Sequence, residues 1–311
     1  LRVGDHQPPT RNWFVKKYVT TVLYSCCKEK EMNTQPVGYK AKAFEAHNLI
    51  FYFLIAFLPV FVAILVAAGI LDFPSNPGPG LKILIAIAQF SPLIAALVVT
   101  AATEGKAGLK ALWKRFWNRD LSLKWFLVIL LFNPMVRLIA NLISRAAGGE
   151  HYPFLEQPNI FPLLISGLII GIQEEVGWRG YALPRFQARW GALTSSIILG
   201  VIWAPYHIGN WLIGERMDSF LEFSLWIILI SIFTTWIFNN SNGSILAAVL
   251  FHAVVTNGIT GCCGVPWAME LLLGIYLVAA IIIVAVFDPK NLVRQKREDV
   301  VEQDKVHAMS D

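Results

Sequence analysis

The chain has 311 residues, of which 56% are hydrophobic and 15% charged, and its mean hydropathy is +0.55. That balance is too apolar for a soluble domain of this length and places the chain among all-α polytopic membrane proteins. The formal charge of +5 then reports orientation and contact with membrane lipids, and nucleic acid is excluded as a partner.

Residues 1–47 read as a polar tail. Within it NWFVKKYVTTVLY (12–24) mixes aromatics with two lysines, suited either to a helix lying along the membrane surface or to a plain tail. The first apolar run lies too far along the chain, and is too long, for the apolar region of a signal peptide. A bilayer core of about 30 Å needs about 20 apolar helical residues. Eight stretches qualify: 48–71, 83–102, 125–144, 160–182, 193–213, 220–238, 244–261 and 267–287. They define one eight-span domain over 48–287, followed by a second polar tail, 288–311. The Pro- and Gly-rich run DFPSNPGPGL (72–81) reads as an outer loop.

Lys and Arg fall in the N-terminal tail, in the second connection (Lys106, Lys110, Lys114, Arg115, Arg119), in the fourth (Arg185, Arg189) and in the C-terminal tail. The odd-numbered connections hold only Lys82, Arg145 and Arg216. By the positive-inside rule this predicts a multi-pass protein of the cell membrane with both termini cytoplasmic. The two glycosylation-like triplets in NNSNGS (239–244) would then carry no glycan. Cysteines come as adjacent pairs, Cys26–Cys27 and Cys262–Cys263. These lack the CxxC spacing of zinc or redox sites, although Cys26 and Cys27 are candidates for acylation.

Ionisable side chains inside spans are costly and point to function. Span four holds Glu174, Glu175 and Arg179 in QEEVGWRGY (173–181), span three Arg137, span five His207 and span seven His252. On a helix Glu175 and Arg179 share a face, while Glu174 is turned away by about 100°. This predicts a paired anion at Glu175 and a carboxylate free to exchange a proton at Glu174. Glu174 lies about 12 Å from the basic end of span four, and His252 sits at a similar depth. His207 matches if span five enters the bilayer near Ile197 and not at Leu193. A carboxylate and an imidazole sharing one water can take its proton, and a second histidine can donate to the oxyanion formed at an amide carbonyl. Peptide hydrolysis fits these parts, and the serine-elbow and HExxH signatures are absent from the sequence.

EEVGWR (174–179) matches an EExxxR signature, and WAPYH (203–207) resembles an aromatic-xxx-His signature. The His252 segment resembles the third motif of the CAAX prenyl endopeptidase and bacteriocin-processing family of intramembrane proteases, the type II CAAX protease or Abi family. The resemblance covers about residues 168–257. It implies an eight-span helical bundle around a cavity and a glutamate-dependent endopeptidase without a metal cofactor. Glu174 and His207 would activate water, His252 would line the oxyanion hole, and Glu175 and Arg179 would support them. Its substrate would be a peptide or protein, lipidated or not.

Two departures stand out. Trp203 replaces a usual Phe, an aromatic exchange expected to be neutral. Thr256 stands four residues after His252, where the family carries Asn or Asp, and Asn257 follows at five. Either the Thr256 hydroxyl donates in its place, or a bulge brings Asn257 round. Competing expectations are a non-catalytic membrane scaffold or bacteriocin-immunity protein of the same fold, a zinc-dependent peptidase, and a proton-coupled transporter, the last disfavoured because the two halves show no internal symmetry.

Overall fold

The computed structural model describes residues 46–67, Pro79, 88–118, 121–149, 161–208, 219–256 and 267–294. Its helices are α1 (Ala46–Ala56), α2 (Leu58–Ala67), α3 (Ser91–Phe116), α4 (Leu123–Ala146) and α5 (Phe161–Gly177). A π-helical turn, Trp178–Ala182, joins α5 to α6 (Leu183–Gln187). Then follow α7 (Ala192–Tyr206), α8 (Phe220–Asn240), α9 (Ile245–Thr256) and α10 (Ala268–Val286). Each of the eight predicted stretches holds a helix, and the protein is an all-α, multi-pass membrane protein. Among the described residues α3, α4, α8 and α10 are each long and apolar enough to cross a bilayer, while α1, α7 and α9 are apolar but shorter.

Local chemistry sets the breaks. Pro59, without an N–H, separates α1 from α2, although Phe61 N still donates to the Phe57 carbonyl at 3.0 Å. Pro92 opens α3, where a missing N–H costs nothing. Ser219 caps α8, its hydroxyl accepting from Glu222 N at 3.4 Å. Helix α8 is the most enclosed of the long helices, and α4 and α10 turn rows such as Leu127, Leu131, Leu138 and Val278, Ile281, Ile282 outward, as lipid-facing surfaces do.

The second connection is not a loop. Helix α3 breaks at Gly105, whose φ of 62° favours glycine, and resumes to Phe116. The resumed piece is amphipathic: Gly108 and Leu112 are buried, and Lys106, Lys110 and Lys114 form an exposed stripe. Two basic residues counted above as connection charges are also partnered inside. Arg115 donates to the carbonyls of Arg179 and Gly180, and Arg185 bonds Glu104 at 2.5 Å.

Residues just beyond α10 pack back on the bundle. Ala192 N donates to the Lys290 carbonyl at 2.7 Å, and Asn239 and Asn240 donate to the Asn291 and Leu292 carbonyls at 2.8 and 2.7 Å. The asparagines that begin and follow in the first glycosylation-like triplet are thus spent on internal bonds. Residues 12–24, both cysteine pairs and Asn257 lie outside the described residues, as does the 72–81 loop except for Pro79.

Helices α5 and α9 approach closely at Gly171, where an added Cβ would sit 2.9 Å from the Val249 carbonyl oxygen. Gly171→Val is expected to cost about 1–3 kcal/mol in a thermal melt of the detergent-solubilised protein, since backbone must move. Gly274→Ala, on α10 with open space around it, should leave the melt unchanged.

Candidate functional site

The end of α5 and the π turn carry the polar residues. At Gly177 an added Cβ would fall 2.5 Å from Tyr52 Oη and 2.6 Å from the Pro92 carbonyl oxygen, so glycine lets α1 and the start of α3 close over this corner. The π turn has i→i+5 bonding, as in Leu183 N to the Trp178 carbonyl. Such turns leave carbonyls without their usual helical donors. Arg115 supplies donors to two of them, at Arg179 and Gly180.

Glu175 is completely buried and has two cationic or polarised partners. Its Oε1 accepts from Arg179 Nη1 at 3.0 Å and from His252 Nδ1 at 2.7 Å. A buried carboxylate with one partner would be expensive, and here α5, the π turn and α9 combine to neutralise it. The guanidinium of Arg179 also lies over the Trp203 ring, 4.8 Å from its centroid.

Glu174, 6% exposed, has a different set of neighbours. Its Oε2 accepts from the indole N–H of Trp178 at 3.2 Å and of Trp203 at 2.6 Å. Its Oε1 faces His207 Nε2 at 3.7 Å. The His207 Nδ1 lies 3.2 Å from the Trp203 carbonyl, which can only accept, so Nδ1 carries a proton, and Nε2 presents a lone pair whenever the ring is neutral. A carboxylate oxygen and an imidazole lone pair facing each other at this distance suit a water donating to both, at about 2.8 Å from each.

The structure therefore brings the buried Glu174, Glu175, Arg179 and His252 and the half-buried His207 into one cluster. The predicted Glu175–Arg179 pair is present, but His252 joins Glu175 and not Glu174 directly. Glu174 is held by two indoles, which the helical geometry did not predict. Trp203 is more than a space-filling aromatic, and Trp178, four residues after Glu174 on its face, was open to the same spacing argument that picked out Arg179. Helix α7 runs from Ala192 to Tyr206, and His207 reaches Glu174 from its C-terminal end. Thr256 closes α9 one turn beyond His252, partly exposed. Arg137 is buried on α4.

Comparison with known proteins gives the cluster a context. Residues 156–257, which contain it, match the family model described as type II CAAX prenyl endopeptidase Rce1-like. The chain is also 26% identical over 225 residues to CAAX prenyl protease 2 of Methanococcus maripaludis, across 67% of this chain and 83% of that protein. The segment that carries the cluster is thus similar to the type II CAAX prenyl endopeptidase Rce1-like family, and these matches indicate a membrane peptidase.

Proposed function

We propose that the protein hydrolyses a peptide bond by glutamate- and histidine-activated water, without a metal cofactor. The observation that carries this reading is the pair of acceptors, Glu174 Oε1 and His207 Nε2, facing each other at 3.7 Å. A water donating to both is polarised toward hydroxide, and its oxygen attacks the scissile carbonyl carbon while its proton passes to the base. The C–N bond then breaks as that proton is returned to the leaving amine. His252, whose Nδ1 is engaged by Glu175, donates from Nε2 to the oxyanion as the imidazolium. In that state Glu174, Glu175, Arg179 and His252 sum to zero charge, which suits a buried site.

Metal independence is supported by the partners of these groups, since Glu174 is held by indoles and Glu175 by Arg179 and His252. The substrate is a peptide or protein, lipidated if the family's name extends to this chain. Cleavage occurs near the cytoplasmic face, where the positive-inside rule puts both termini. A second reading, a non-catalytic scaffold or immunity protein, is favoured by one observation, Thr256 in the place of an amide or carboxylate after His252.

The purified protein should cleave an internally quenched peptide ending in a farnesylated Cys-aliphatic-aliphatic-X box or its unprenylated twin. Glu174→Gln and His207→Ala are each expected to lower kcat/KM by about 10²–10⁴-fold. Variants as active as the parent contradict this mechanism, and a fully inactive parent favours the scaffold. Elemental analysis should find less than one zinc per chain, and cleavage should survive a chelator. Removing the cation beside Glu175 has a different signature. Arg179→Leu leaves the buried Glu175 carboxylate with His252 alone and should cost about 3–5 kcal/mol of stability, seen as lost folded protein, whereas Glu174→Gln should fold normally.

A further inference from the structure

Trp203 touches both members of the water-holding pair. Its side chain donates to Glu174 Oε2 at 2.6 Å, and its backbone carbonyl accepts from His207 Nδ1 at 3.2 Å. Its ring is packed against two members of the cluster, with the Arg179 guanidinium 4.8 Å from the centroid and the His252 ring centroid 5.8 Å away. The residue is 2% exposed, so no other orientation is open to it without repacking. A phenylalanine could fill most of this volume, but it has no donor.

The consequence lies in which oxygen of Glu174 is available. Trp178, from the same helix as Glu174, holds Oε2 locally. Trp203 holds the same oxygen from α7, the helix that carries His207, and so ties the two helices together at the point where the water sits. With Oε2 occupied by two donors, Oε1 alone is presented to His207 Nε2. We infer that Trp203 is a positioning residue: its indole N–H orients the Glu174 carboxylate so that a single oxygen, Oε1, shares the nucleophilic water with His207. This rests on the reading of Glu174 as the water-activating carboxylate.

The test replaces one atom. Trp203→benzothienylalanine keeps the bicyclic shape and exchanges N–H for sulfur. In the full-length purified chain, with the quenched farnesylated peptide as substrate, kcat should fall about tenfold with KM unchanged, the loss expected for a charge-assisted hydrogen bond made to the base. Trp203→Phe should behave alike. The thermal melt reports whether either variant still folds.

An activity-independent readout accompanies this. The indole 1H–15N resonance of Trp203, assigned by its absence in Trp203→Phe, should lie downfield in the parent and move upfield in Glu174→Ala. If Glu174→Gln is inactive while the benzothienylalanine variant keeps the parent kcat, or if the resonance ignores Glu174→Ala, the positioning role is overturned and the glutamate mechanism stands. If Glu174→Gln itself cleaves like the parent, the underlying mechanism falls instead.

Discussion

A carboxylate with no solvent contact sits at the centre of this structure, and the surrounding architecture is arranged to tolerate it. Glu175 shares Oε1 between Arg179 and His252, at 3.0 and 2.7 Å. Either partner removed would leave a buried charge only partly compensated, a cost of several kcal/mol. The pairing therefore ties the register of α5 and its π turn to that of α9. It also fixes which face of α9 points inward, and with it the place of the His252 ring. The close approach at Gly171, one turn before Glu175, is what lets the two helices come near enough for that bond.

The adjacent glutamate has the opposite character. Glu174 meets neutral donors, two indole N–H groups, and faces an imidazole across a gap suited to one water. Neutral donors orient a carboxylate without cancelling its charge, so it keeps the capacity to accept a proton. On the proposed mechanism, adjacent positions on one helix serve separate ends, Glu175 as a structural anion and Glu174 as a reactive one. The aromatic ring of Trp203 stands between the two, under the guanidinium that neutralises one carboxylate and bonded to the other.

Much of this was legible in the sequence. The apolar stretches locate every described α-helix except the short α6, because a bilayer core imposes both length and composition. The four-residue spacing predicts the Glu175–Arg179 pair, and the scarcity of ionisable groups inside spans singles out His207 and His252. What could not be read depends on tertiary contact. That His252 binds Glu175 follows from the crossing of α5 and α9, which no local spacing encodes. The role of Trp203 hides behind its residue type, since an aromatic in a span is most often packing, and a donor matters only once an acceptor from another helix lies opposite. The piece after Gly105 reads as a basic connection because Lys106, Lys110, Lys114 and Arg115 recur along it. Its burial of Gly108 and Leu112 against the π turn needed the fold to be seen.

The central claim is that Glu174 and His207 act on a single water, and a double-mutant cycle on peptide cleavage tests it most directly. Groups sharing one task lose that task once, so Glu174→Ala/His207→Ala should cleave no more slowly than the worse of the two single variants. Losses that multiply, each substitution lowering the rate by the same factor whether or not the other is present, would show two independent contributions and contradict the account.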